Sequence, residues 1–326
     1  MTSSVAAWDQ SGLVEPAVDW SKLGNVYLFA NGKGGVGKST CSTHAAALLA
    51  EDGVRVLLID LNGQGNVSSM LGFANTEVDD KGRNLYSAIT AGAALAPVRD
   101  VRPGLDVVPG GPFVRRIAPV MAAEMGNSQT ARQVLMSLAL ALQEISEHYG
   151  VIFIDSPPEN QLLLQAALCA ARFVVVPMRT DDLSRTGLRE LAGDLRAMRE
   201  LNPYVMLLGC FVFASGFSST KIREEMQRNV AADLGQNEEV MLKAFIRHSE
   251  AVGRDVPKFG RLAHELEQEI VNNPSRSAIR RGKADAKSVV SATSASVAED
   301  FAKLTAEILM RGSQIRADMI EEGEWP

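Results

Sequence analysis

Cysteine is scarce in this chain. Only Cys41, Cys169 and Cys210 occur in 326 residues, and no two of them fall in a C-x-x-C spacing. That excludes a disulfide framework and a thiolate metal centre built on closely spaced ligands, and leaves the three as small core residues. Long apolar runs are missing too: nowhere do eighteen apolar residues follow one another, so no segment reads as a membrane-spanning helix. Between Met1 and Gly24 stand Trp8, Asp9, Glu15, Pro16 and Asp19, where a secretory leader needs an unbroken apolar block, and the expected location is the cytoplasm. Nor is there an excess of positive charge. With 33 Lys and Arg against 39 Asp and Glu, the net charge of −6 excludes a surface coated in basic residues but leaves room for a local patch. No internal repeat is visible.

What is present is 46% hydrophobic and strongly patterned. Short β-rich apolar runs at Val26–Ala30, Val54–Ile59, Leu105–Val108, Val151–Ile154, Phe173–Val176, Val205–Phe213 and Val240–Phe245 alternate with amphipathic helical stretches. That alternation predicts an α/β fold with a doubly wound, mostly parallel sheet and helices on both faces. Thr130–Tyr149 sets Val134, Leu135, Leu138, Leu142 and Ile145 on one helical stripe, and Ser184–Leu201 does the same with Leu188, Leu191, Leu195 and Met198, with Ser184 as its expected N-cap. Asn75–Gly126, richer in Gly and Pro, reads as loops, a short helix near Leu85–Ala91 and one edge strand. Asn272-Asn273-Pro274-Ser275-Arg276 reads as a linker, after which Val297–Met310 recovers a helical stripe. The expected organisation is an N-terminal extension (1–24), a nucleotide-binding domain (25–271), and a linker, basic segment and C-terminal helix packed on that domain (272–326).

Directly after the first strand comes Gly32-Lys33-Gly34-Gly35-Val36-Gly37-Lys38-Ser39, which satisfies the phosphate-loop pattern G-x-x-x-x-G-K-S/T between a strand and a helix. Glycines let the backbone N–H groups of Gly34, Gly35, Val36 and Gly37 curl around a phosphate, and the following helix turns its positive end toward it. Lys38 supplies a point charge to the β- and γ-phosphates, Ser39 can ligate Mg²⁺, and Thr40 is expected near the α-phosphate.

The second lysine of the loop, Lys33, gives the string its character. Lys33-Gly-Gly-Val-Gly-Lys38-Ser39 resembles the deviant Walker A of the ParA/MinD family of P-loop ATPases, nearest to partition proteins without a large N-terminal DNA-binding domain. The resemblance covers Asn25 to about Gly260 and implies a homodimer closed on ATP, in which Lys33 reaches the partner's nucleotide and acts as a finger supplied in trans. Asp60-Leu61-Asn62-Gly63-Gln64-Gly65-Asn66 is similar to the family's first switch, D-x-D-P-Q-G-N. The resemblance gives Asp60 a place near the Mg²⁺ hydration shell. Asn62 stands where the family has the water-positioning aspartate; an amide there holds water but takes no proton, which implies slow hydrolysis, or Asn62 is simply a turn residue before Gly63. Asp155-Ser156-Pro157-Pro158, ending the run Val151–Ile154, resembles the family's Walker B and second switch, with Asp155 on Mg²⁺ through water. Ala244–Ala251 resembles the late segment whose backbone, here Ile246, Arg247 and His248, lies against the nucleotide base.

Family members that position plasmids or chromosomes grip DNA non-specifically. Arg276, Arg280, Arg281, Lys283 and Lys287, opposed only by Asp285, are the candidate contacts, and the segment reads equally well as a solvated charged stretch. The acidic end Glu321-Glu322-Gly323-Glu324 argues against a membrane-seeking tail. The implied function is a nucleoid-associated partition ATPase released by a ParB-like centromere-binding partner. The alternative is an ATP-gated scaffold that positions a non-DNA cargo or regulates a partner, with little turnover.

Overall fold

The computed structural model describes residues 17–157, 160–216, 220–235, 238–275, 277, 280–281 and 289–326. In chain order the strands are β1 (Val26–Phe29), β2 (Val56–Asp60), β3 (Val98–Arg102), β4 (Leu105–Val108), β5 (Val151–Asp155), β6 (Phe173–Met178), β7 (Met206–Ser215) and β8 (Ile246–Arg247). The helices are α1 (Lys38–Glu51), α2 (Asn66–Met70), α3 (Arg83–Ala91), α4 (Ile117–Glu124), α5 (Ser128–Gln143), α6 (Gln161–Ala170), α7 (Asp182–Met198), α8 (Thr220–Leu234), α9 (Glu250–Phe259), α10 (Ala263–Glu269) and α11 (Ser294–Glu321).

The strands form one sheet in the order β3-β4-β2-β5-β1-β6-β7-β8, parallel throughout except for β3 against β4. Continuous apolar strands are what such a sheet needs, because successive side chains point to opposite, covered faces. Leu57, Ile59, Ile152 and Ile154 enter the core shared with α3 to α8. Val56, Leu58, Val151 and Phe153 enter the other, shared with α1, α2, α9, α10 and α11. The doubly wound expectation holds.

Four details differ from expectation. Val240–Phe245 is not a strand: Glu238–Val240 is a 3₁₀ turn, Met241 makes an isolated bridge to Cys210, and the edge strand is Ile246–Arg247. Its amides explain this, for only Leu242 donates to β7, at the Cys210 carbonyl, whereas Lys243 and Ala244 donate to the Glu307 carboxylate of α11. The N-cap of α7 is Asp181, not Ser184, whose N–H donates to Asp181 at 2.8 Å. The Gly- and Pro-rich stretch holds the expected short helix and antiparallel edge strand, and also α4. The last helix runs for 28 residues, well past the expected Met310.

At the carboxyl edge of the sheet, β1, β2 and β5 are neighbours, and Asp60 stands beside Asp155 in parallel register. This edge is where doubly wound sheets bind ligands.

Candidate nucleotide-binding site

From β1 the chain turns through Asn31–Gly37 into α1, whose first residue is Lys38. Gly37 has φ of 93°, and a Cβ there would lie 2.6 Å from the Phe213 ring, so any side chain is strained and crowded at once. Asn31 pins the loop, accepting the Lys33 N–H at 2.9 Å and donating to the Pro177 carbonyl at 2.9 Å. The buried Lys38 ammonium donates to the carbonyls of Asn31 (3.2 Å) and Lys33 (2.9 Å), holding the cradle from inside.

Lys33 turns elsewhere. Its Nζ lies 3.0 and 3.1 Å from the two carboxylate oxygens of Asp181, which also caps α7. Burial pushes the Asp181 carboxyl up, but the Lys33 ammonium and the Ser184 hydrogen bonds outweigh it and hold it below the usual carboxylate range.

Asp60 and Asp155 lie fully buried under the loop. Asp60 accepts the Asn62 N–H at 2.8 Å and the Val67 N–H at 3.4 Å. Neither Asp155 oxygen meets a donor at hydrogen-bonding geometry. Burial raises both carboxyls above their ordinary range; the neighbouring Asp155 charge raises Asp60 further, while the Ser39 hydroxyl and the Lys38 ammonium draw Asp155 part of the way back. Two adjacent buried carboxylates, one with no donor, form the oxygen-rich set that a hard divalent cation takes, and Ser39 opens onto the same place.

Asn62 is buried, and its Oδ1 accepts the Gln64 N–H at 2.9 Å. The carbonyl oxygen is thus committed to a turn, which leaves the Nδ2 donor to face a ligand.

A cavity of about 560 Å³ opens over these groups. Gly34, Gly35, Gly37, Lys38, Ser39 and Thr40 line it from the glycine loop and the start of α1 together with Asn62, and Ile246, Arg247 and His248 line it from the β8 edge. Lys33, Val36, Asp60 and Asp155 are not part of its wall. Phe213, Val252, Val256 and Pro257 add apolar wall to the same cavity, the kind of surface that suits a flat ring. Of the five basic residues expected to meet DNA, Arg280 and Arg281 are exposed, and Arg276, Lys283 and Lys287 lie outside the described residues.

Sequence reasoning missed Asp181, Phe213 and His44. His44 is fully buried on α1: Nδ1 donates to the Thr40 carbonyl at 2.7 Å, Nε2 accepts the Ala263 N–H at 3.1 Å, and the ring stacks on Phe301 at 3.8 Å. Burial pushes its pKa down to about 3, so the ring stays neutral and braces the phosphate helix against α10 and α11. A lone histidine inside an apolar helix carries no signal of such a role.

A family model described as an AAA domain matches residues 24–206. The chromosome partitioning protein ParA of Caulobacter vibrioides is 33% identical over 242 residues, which cover 72% of this chain and 85% of that protein. The chain belongs to the ParA family. Another relative, the sporulation initiation inhibitor protein Soj of Bacillus subtilis, is 32% identical over 191 residues, 57% of this chain and 71% of Soj. Among solved structures, an ATP complex of a Cyanothece McdA variant shares the fold with a TM-score of 0.63 over 74% of this chain and 90% of that one, at 20% identity. The matched family segment ends at the start of β7, so β8 and α8 to α11 lie outside it. Among the described residues, no helix of this ParA-family chain is long and apolar enough to cross a membrane.

Proposed function

We propose that this ParA-family protein is an ATP-switched positioning ATPase. ATP fills the cavity, two subunits close face to face around their nucleotides, the closed dimer grips DNA non-specifically, and a ParB-like partner stimulates slow hydrolysis and release. The observation that carries this reading is the divergence of the two loop lysines. Lys38 turns into its own cradle, whereas Lys33 turns away to a carboxylate at the rim, free to exchange Asp181 for a phosphate brought by a second subunit. Mg²⁺ fits beside Ser39, Asp60 and Asp155, because Asp155 presents two buried oxygens with no donor. When bound, it neutralises charge on the β- and γ-phosphates. The chain's own part is to curl N–H groups and Lys38 around the phosphates, to hold the base against Ile246–His248, and to offer a water the amide of Asn62. Gel shifts with unrelated DNA sequences test the function. Binding is expected only with ATP, weakening steeply with salt; no retardation under any condition rejects the DNA arm.

Asn62 specifically favours a second reading, a nucleotide-gated scaffold with little turnover, because its carbonyl oxygen already serves Gln64. Asn62→Asp keeps that turn and restores a carboxylate able to take a proton from water. Steady-state ATPase is expected to rise about tenfold or more. The same change places a third carboxylate beside Asp60 and Asp155, so the nucleotide-free variant is expected to melt lower. An unchanged rate removes Asn62 from the chemistry.

A further inference from the structure

The β8 wall of the cavity is held in place by α11, through carboxylates more than fifty residues away in sequence from the backbone they bind. Asp300, 5% exposed, accepts three hydrogen bonds from Arg247: the backbone N–H (2.9 Å) and Nε (2.7 Å) at Oδ2, and Nη2 (2.7 Å) at Oδ1. Two turns further along, Glu307 accepts the Lys243 N–H at 2.8 Å on one oxygen and the Ala244 N–H at 2.7 Å on the other. Val297 and Phe301 of the same helix form part of the cavity wall, and Phe301 stacks on His44 of the phosphate helix.

The topology explains why acceptors are needed here. β8 is the last strand of the sheet, two residues long, paired with β7 only through Phe213↔Ile246 and Ser215↔Arg247. Among the described residues no ladder on its outer side receives backbone donors, and orphaned amides carry a desolvation penalty. The α11 carboxylates receive the N–H groups of Lys243, Ala244 and Arg247, while Leu242 and His248 donate to the Cys210 and Ser215 carbonyls of β7, so the helix and the sheet together set the path of this edge.

We infer that Asp300 and Glu307 are positioning residues for the nucleoside end of the ligand. They fix the Ile246–His248 backbone and thereby set affinity for a base-bearing nucleotide, independently of the phosphate cradle. This rests on the reading that the cavity takes ATP. The site is thus divided: the matched family segment supplies the phosphate half, and a helix outside that segment supplies the rigidity of the base half.

The test uses the full chain with Mg²⁺ and compares ATP, ADP and inorganic tripolyphosphate by calorimetric titration. Asp300→Asn keeps the size of the side chain and one acceptor oxygen but removes the charge that holds Arg247. It is expected to weaken ATP and ADP about tenfold while leaving tripolyphosphate within about twofold of wild type. In turnover assays, the KM for ATP rises and kcat at saturation is kept. Glu307→Gln, at a half-buried position, is expected to move the same way and carries the test if Asp300→Asn fails to fold. Lys38→Ala, by contrast, weakens all three ligands. Unchanged ATP affinity in both α11 variants overturns the inference, as does a parallel loss of ATP and tripolyphosphate, which marks a merely structural role. A wild-type chain that binds tripolyphosphate but not ATP, or neither, instead overturns the nucleotide reading on which the inference rests.

Discussion

Asp155→Asn is expected to raise the melting temperature of the nucleotide-free protein while lowering ATPase activity about 100-fold or more. The two effects come from one feature. Asp155 is buried beside Asp60, and the nearby Ser39 hydroxyl and Lys38 ammonium offset only part of the cost of burying its charge, so in the empty protein it is a source of strain. An amide of the same shape carries no charge and removes the repulsion on Asp60, a relief of about 1–3 kcal/mol. For a chain of this size that is a shift of several degrees, on the order of 2–4 °C per kcal/mol. The same substitution removes one of the two carboxylates suited to Mg²⁺, so stabilisation by Mg²⁺ and ATP, large for wild type by mass action, shrinks in the variant.

The pH dependence gives the sign independently. Burial raises the folded pKa of both carboxyls, so they contribute stability that is present below the ordinary carboxylate pKa of about 4 and is lost as pH rises through the raised folded values. His44 works the other way. Its folded pKa is lowered to about 3, so its contribution is present above the ordinary histidine pKa and is lost as pH falls. The two trends overlap in the wild-type melting curve, but His44 is common to both proteins and cancels in the difference. The gap between Asp155→Asn and wild type, measured without Mg²⁺ or nucleotide, is expected to widen from about pH 5 to about pH 7.5. A variant that melts below wild type at neutral pH would remove electrostatic strain from the account.

Legibility in the sequence followed the range of the interaction. The sheet could be read because the central strands β2 and β5 are apolar at every position before their terminal aspartates, and only a sheet covered on both faces uses such runs; Leu57 and Leu58 indeed enter opposite cores. The phosphate loop could be read because its glycines answer to local backbone conformation, as the φ of 93° at Gly37 does. Val240–Phe245 was misleading for the opposite reason. Its composition is that of a strand, but the amides of Lys243 and Ala244 are taken by Glu307, 64 and 63 residues further on, and only Leu242 donates to β7. The Asp181 partner of Lys33 lies 148 residues away, and nothing near either residue announces the pairing. Ser184 was the expected cap, but the Asp181 carboxylate takes that place because it bonds the Ser184 N–H and meets the Lys33 ammonium at once.

Lys33→Ala is expected to abolish the ATP-dependent dimer in light scattering and to lower hydrolysis about a thousandfold, the scale of a cationic finger supplied in trans. ATP binding by the monomer is expected to stay within about threefold of wild type, because Lys33 does not line the cavity that Lys38 lines. The present partner of Lys33 makes the exchange physically easy. The Lys33 and Asp181 side chains are 27% and 42% exposed, and an ion pair so wetted contributes little, about 0–1 kcal/mol, so a phosphate can displace the carboxylate. Asp181 keeps its other bond, to the Ser184 N–H, and α7 stays capped after the lysine leaves. A mixture separates action in trans from action within one subunit. Lys33→Ala and Asp155→Asn are each expected to be inactive alone, but in a mixed dimer the Asp155→Asn subunit offers its Lys33 to an intact site on the Lys33→Ala subunit. Recovered turnover on mixing places the lysine across the interface; two inactive proteins that stay inactive together, while still forming the mixed dimer, confine Lys33 to its own subunit.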